Sequence, residues 1–296
     1  HVNDPGRPMT TTIAKLAVEA LIANGIEQLY CLPGVQNDHF FNALFDHTDA
    51  ITPIQTRHEQ GAAYMATGAA LATGEPQAFC VVPGPGFLNT TAALSTAYGM
   101  NAPVLALVGQ IPTGAQGKGH GLLHEIPDQF GILERLTKSS HRVTGGGDAV
   151  GHVVDAFTSL ISGRPQPVGL EIAVNLWTQD VTGTLPDLAP PGRPAPAVDT
   201  DAIDQAAKLI ASARAPMIVV GGGAQGDSGL VRQLAARTGA PVVAFRTGHG
   251  VMPSVDPLSI GMPVAHSRWA DVDLVIGLGT RLQSQVMSWG HDDEMK

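Results

Sequence analysis

Three short loops hold the residue types that could do chemistry in this chain: "LPGV" at residues 32–35, "TRHEQG" at 56–61 and "PGPGFLN" at 83–89. Glu59 is the one carboxylate in them. A carboxyl group in apolar surroundings favours its neutral form and can hold a proton near neutral pH, which suits it to proton transfer. The same residue at the mouth of a helix has a structural use, because it meets orphan N–H groups and the positive end of the helix dipole. His58 stands beside it, but successive helical residues point about 100° apart, so His58 is expected to serve structure or an interface. Gly34, Gly84 and Gly86 would let a ligand approach the backbone, and Pro33 and Pro85 would stiffen the loops that carry them. Each loop taken singly is an ordinary turn.

A fourth pattern lies further on. "GGGAQG" at residues 221–226 satisfies the G-x-G-x-x-G spacing between a predicted strand and a predicted helix, the setting of a dinucleotide fingerprint. The next strand, "PVVAFRTG", carries Arg246 where a ribose-binding acid would stand, so NADP is the dinucleotide this loop would suit. Glycines at these positions equally serve close packing of a strand against a helix.

The elements around these loops alternate. "TTIAKLAVEALIANG" has helical periodicity with Thr at its start and Gly25 as its stop, and "NDHFFNALFDH", "NTTAALSTAYG" and "AVGHVVDAFTSLISG" read as further helices. Between them lie the strand-like runs "IEQLYCLP", "ITPIQT", "QAFCVV", "PVLALVG", "SSHRVT" and "PVGLEIAV". Nearly continuous apolar strands separated by helices predict an α/β fold with a parallel sheet covered on both faces. In such a sheet the first three loops share the edge at the strands' carboxyl ends, where ligands bind. The proline-dense stretch "TGTLPDLAPPGRPAPAVDT" predicts an extended linker at 182–198 between a first domain, 10–181, and a second, 199–296. That second domain reads as a strand–helix alternation with too few strands for a complete sheet. Residues 1–9 are polar and turn-rich, and are expected to be a non-native leader ahead of a start at Met9.

The net charge is −9, from 26 acidic against 17 basic residues, and no basic block occurs. Nucleic acid and anionic membrane surfaces are therefore not expected as partners. No apolar run approaches the ~18 residues of a bilayer span, and no secretory leader is evident, so a cytoplasmic location is expected. Cys31 and Cys80 both fall in strand-like runs and are expected to be buried thiols rather than a disulfide.

Taken together, a strand ending in "PG", a second ending in "RHEQGA" and a third followed by "GPG" and then Asn89 resemble one family. It is the pyrimidine-binding domain of thiamine diphosphate enzymes, in particular the acetolactate synthase, pyruvate oxidase and benzoylformate decarboxylase group. "PVLALVGQIP" and "SGRPQPVGLEI" are similar to that domain's next strand and its closing strand. Beyond the linker, "RAPMIVVGGGAQ", "TGAPVV" and "ADVDLVIGLGTRL" resemble the family's Rossmann-like central domain. The likeness thus runs along nearly the whole chain in order.

The resemblance implies a thiamine diphosphate-dependent decarboxylase or carboligase, a lyase or transferase acting on a 2-oxo acid and most like acetolactate synthase. It implies that Glu59 hydrogen-bonds N1′ of the cofactor's aminopyrimidine ring and relays a proton there. Pro85 and Asn89 would line the pyrimidine, and Gly34 and Val35 would contact cofactor or the substrate's approach. Phe87 and His124 are implied on the substrate side. In "GLLHEIPDQF", His124 stands where acetolactate synthases resemble one another in a Gln, which points to a substrate other than pyruvate. Histidine there could shuttle a proton or fill the space with a hydrogen bond.

Two departures limit what the chain should do alone. The family's Gly-Asp-Gly segment, which anchors Mg2+ and the diphosphate, does not occur, so no metal ligand is assigned here. The Mg2+ ligands are expected from a C-terminal diphosphate-binding domain absent from this chain, without which it should be inactive. There is also no clear match to flavin-holding loops, "GTRLQSQ" standing at one of them, so FAD is not expected. Because the family's site forms between subunits, a homodimer or homotetramer is implied. Two rival readings stay open: an NADP-dependent oxidoreductase using residues 221–226, and a non-catalytic dimerisation or regulatory protein.

Overall fold

The computed structural model describes residues 11–181, 187–189, 197–283 and 285–290. The expected leader and most of the expected linker lie outside the described residues. The chain divides into two compact units, His1–Ala195 and Pro196–Lys296.

The first unit runs α1 (Ile13–Ala23), β1 (Gln28–Leu32), α2 (Asp38–Phe45), β2 (Thr52–Gln55), α3 (Glu59–Thr73), β3 (Gln77–Val81), α4 (Pro85–Leu88), α5 (Thr91–Met100), β4 (Val104–Gln110), α6 (Gln129–Leu136), β5 (Ser139–Arg142), α7 (Ala149–Leu160) and β6 (Val168–Ala173). All six strands pair in parallel, in the order β2-β1-β3-β4-β6-β5. The period of two along each strand divides its side chains between two cores. Leu29, Cys31, Ala78, Cys80, Leu105 and Leu107 enter one with α1, α2 and α7. Tyr30, Phe79, Val81, Val104, Ala106 and Val108 enter the other with α3 and α5. Both faces are thus dry, which is why these strands read as unbroken apolar runs. Cys31 and Cys80 are free, buried and directly paired across β1 and β3.

Local signals start and stop the helices. The Thr12 hydroxyl accepts the Lys15 N–H at the start of α1, and the Asp128 carboxylate accepts the Gly131 N–H at the start of α6. Gly74 ends α3 in the left-handed conformation at φ 77°. The parallel arrangement brings the loops after β1, β2 and β3 to one edge.

The second unit runs α8 (Thr200–Ser212), β7 (Pro216–Val220), α9 (Ser228–Thr238), β8 (Val242–Ala244), β9 (Ser259–Ile260), α10 (Met262–Arg268) and β10 (Leu274–Leu278). Its strands also pair in parallel, in the order β10-β7-β8-β9. β9 is a fourth strand that the sequence reading did not contain. The "GGGAQG" glycines pack against neighbouring loops: a Cβ on Gly221 would lie 2.4 Å from Gly279 O, and one on Gly223 would lie 2.9 Å from Gly279 Cα. A 3₁₀ turn over Gly222–Asp227 also separates β7 from α9. Loop-to-loop packing therefore accounts for Gly221 and Gly223 without a nucleotide, whereas Gly226 has open space where a Cβ would stand, and Arg246 is exposed on the turn after β8.

Candidate functional site

His58, not Glu59, caps α3. It is extended at φ −156°, and its Nδ1 accepts the Gln60 N–H at 3.1 Å. Glu59 is the first helical residue, half-buried, and its carboxylate is left to reach across the edge of the sheet. Asn89, at the end of α4, donates through Nδ2 to Glu59 Oε2 at 2.9 Å. Gly86 lies beneath the other oxygen: a Cβ there would stand 3.5 Å from Oε1. The structure thus brings Glu59, Gly86 and Asn89 together from two loops. Among the described residues no hydrogen bond to the chain engages Oε1.

The other glycines behave differently from the expectation that they open backbone to a ligand. A Cβ on Gly34 would lie 2.6 Å from Val82 Cγ1, and one on Gly86 would lie 2.6 Å from Val82 Cγ2. A Cβ on Gly84 would lie 2.4 Å from His124 O. Their missing side chains let the first loop pack on Val82 at the root of the third, let the third fold back over Val82, and let the His124 loop close over Gly84. Asn37 completes the closure, its Nδ2 donating to Val81 O at 2.8 Å.

The remaining sequence-derived residues separate into exposed and buried. Val35 is 67% exposed, and Pro85 and Asn89 are exposed at the edge. Phe87 is fully buried in the core shared by α3 and α5, so in this chain it does not line an open wall. Ala62, Ala63 and Ala66 are in the same core, as an alanine-rich buried helix requires. His124 is half-buried at φ 70°, and its Nδ1 lies 3.0 Å from Gln36 Oε1. It is delivered by a loop wound around Glu125, whose carboxylate accepts the N–H groups of Leu122 at 2.9 Å and Gly119 at 3.0 Å. Those N–H groups hold the Glu125 carboxyl below the usual carboxylate range.

A buried polar group behind the edge was missed by the sequence reading. Glu171 in β6 is 1% exposed and accepts from Arg142 Nε at 2.6 Å, Gln129 Nε2 at 2.8 Å and Gln110 Nε2 at 3.1 Å. Burial pushes its pKa up, while the Arg142 guanidinium and the amide donors pull it down. The signal was available: one acid inside the apolar run "PVGLEIAV" must find partners. Among the described residues no group of three His, Cys, Asp or Glu side chains could hold a metal ion, and no helix is long and apolar enough to cross a membrane.

Known proteins resemble this chain in sequence and fold. Residues 11–132 match the pattern of the thiamine pyrophosphate enzyme N-terminal TPP binding domain, and residues 203–295 match that of the thiamine pyrophosphate enzyme central domain. The "Probable 2-ketoarginine decarboxylase AruI" of Pseudomonas aeruginosa is 31% identical over 285 residues, covering 94% of this chain and 50% of that protein. An acetolactate synthase of Arthrospira platensis is 32% identical over 295 residues, covering 92% of this chain and 50% of that protein. The chain therefore spans about half the length of the curated relatives it matches. A solved structure described as a thiamin diphosphate-dependent enzyme from Mycobacterium smegmatis shares the fold at TM-score 0.80 and 24% identity, covering 92% of this chain and 53% of its own. The two family patterns cover most of the chain in order, and the chain belongs to the thiamine pyrophosphate-dependent enzymes.

Proposed function

We propose that this chain supplies the pyrimidine-binding half of the active site of a thiamine diphosphate-dependent decarboxylase or carboligase acting on a 2-oxo acid. The observation that carries the reading is the Glu59 carboxylate, with Oε2 fixed by Asn89 and Oε1 free of hydrogen bonds among the described residues. Such a donor set fits an aminopyrimidine, which needs one carboxyl oxygen free to share a proton with a ring nitrogen. The names of the relatives, an acetolactate synthase and a 2-ketoarginine decarboxylase, support the substrate class.

When bound, the cofactor supplies the electron sink that lets a bond at the 2-oxo carbon break. The chain's own part is narrower. Glu59 holds or releases one proton at Oε1, and Asn89 keeps the carboxyl plane fixed. Mg2+ and the diphosphate would be held by residues outside this chain, the reading calls for no FAD, and the active form would be a cytoplasmic homo-oligomer.

The test uses the whole polypeptide that carries this chain. It should bind thiamine diphosphate in the presence of Mg2+ and release CO2 from a panel of 2-oxo acids. Glu59→Gln should retain the bound cofactor yet lower kcat by about a hundredfold or more, the range for a lost proton-transfer group. Undiminished turnover in that variant would sink the reading, and cofactor binding without turnover by the parent protein would favour a non-catalytic role.

A further inference from the structure

Gln129, the first residue of α6, is 2% exposed, and the direction of its amide follows from its neighbours. Nε2 donates to Gly109 O at 2.9 Å and to Glu171 Oε2 at 2.8 Å, and both partners are acceptors. The oxygen Oε1 is thereby left to accept the buried Gly84 N–H, at 2.7 Å. Flipping the amide would set an oxygen against two oxygens and strand the Gly84 donor, so one orientation wins. Glu171 enforces that choice, and it is itself gripped by Arg142 and Gln110.

What Gln129 grips is unusual backbone. Gly84 sits at φ 60° and ψ −124°, a conformation that L side chains avoid, and His124 fills the space where a Cβ would be. Glycine reaches this conformation without strain but has many others open to it, so the turn keeps this one only where its surroundings select it. Directly after it come α4 and Asn89, whose N–H donates to Pro85 O at 3.0 Å and whose side chain holds Glu59. Contacts therefore run from Glu171 through Gln129 to the Gly84 turn, and from that turn through Asn89 to Glu59.

We infer that Gln129, oriented by Glu171, is a positioning residue: it locks the Gly84 turn and so sets where Asn89 holds the Glu59 carboxyl. The catalytic half of this inference rests on the thiamine reading of Glu59, whereas the lock itself does not. Neither residue touches the carboxyl it serves.

The experiment pairs amide hydrogen exchange, read by mass spectrometry without cofactor, with thiamine diphosphate titration and steady-state kinetics, all on the whole polypeptide. Gln129→Met keeps the length of the side chain and removes its bonds. It should speed exchange across residues 84–89 about tenfold and raise the cofactor Kd by a similar factor, as expected for one stranded buried donor. Exchange in β3 and β4 should stay as in the parent, and kcat at saturating cofactor should fall while KM for the 2-oxo acid holds. Glu171→Gln keeps the shape but no longer dictates the amide's direction, so it should shift the same readouts less; it carries the test if Gln129→Met does not fold. Exchange at 84–89 equal to the parent in the folded variants would overturn the lock, as would a uniform rise across the whole first unit. Faster exchange confined to 84–89, in a parent that binds no thiamine diphosphate, would uphold the lock and overturn the thiamine reading instead.

Discussion

Glu171 lies in a strand whose other residues are apolar, and the whole of β6 is buried. Desolvation outweighs its three donors, so the native carboxyl binds its proton more tightly than the unfolded chain, whose value is near 4.5. The native state then carries more protons than the unfolded state between 4.5 and the raised native value. It follows that the stability contributed by the protonated carboxyl is complete below 4.5 and is lost as pH rises through the native value. Glu171→Gln removes this titration. Urea midpoints measured across that window should fall with rising pH more steeply in the parent than in the variant, and parallel slopes would mean that burial does not control this proton. The comparison between the two proteins cancels the other carboxylates, which titrate in both.

The turn after β3 is the element on which the site depends, and its glycine can be weighed against one that has room. Gly25 is at φ 75° with nothing within 4 Å of a Cβ, so Gly25→Ala should cost only the left-handed strain, about 1–2 kcal/mol. Gly84→Ala adds a collision with the His124 backbone and should cost about 3 kcal/mol or more, read from urea midpoints of both variants. Equal losses would show that the His124 loop yields. Which elements could be read beforehand follows from similar considerations of room and length. β4 was legible because all seven of its residues are buried and none before Gln110 is polar. β9 has two residues and no periodicity to detect. α6 was passed over because "DQFGILERL" holds Gly131 near its start, although the Asp128 cap was a visible sign. Glu59 was legible as part of a motif. Gln129 was not, because its partner Glu171 lies 42 residues away and only the pairing of β6 beside β4 brings them together.

At the scale of the molecule, the same parallel sheet that gathers the loops also hides both thiols. Parallel pairing sets Cys31 opposite Cys80 in one core, reached by neither solvent nor a charged partner. Burial raises the Cys31 pKa to about 11, and burial with the neighbouring thiol raises Cys80 well above its ordinary value, against the Asn37 hydrogen bond. Thiols react as thiolates, so burial and proton affinity both suppress reaction. Neither cysteine should react with an aromatic disulfide reagent in the native protein near neutral pH, and both should react once the fold is lost. Because both cysteines belong to the first unit, the urea dependence of that reaction reports the unit that carries Glu59. It should follow the loss of the sheet's circular dichroism in that unit. A thiol that reacts in the native protein would show that β1 and β3, which position two of the three site loops, open locally without global unfolding.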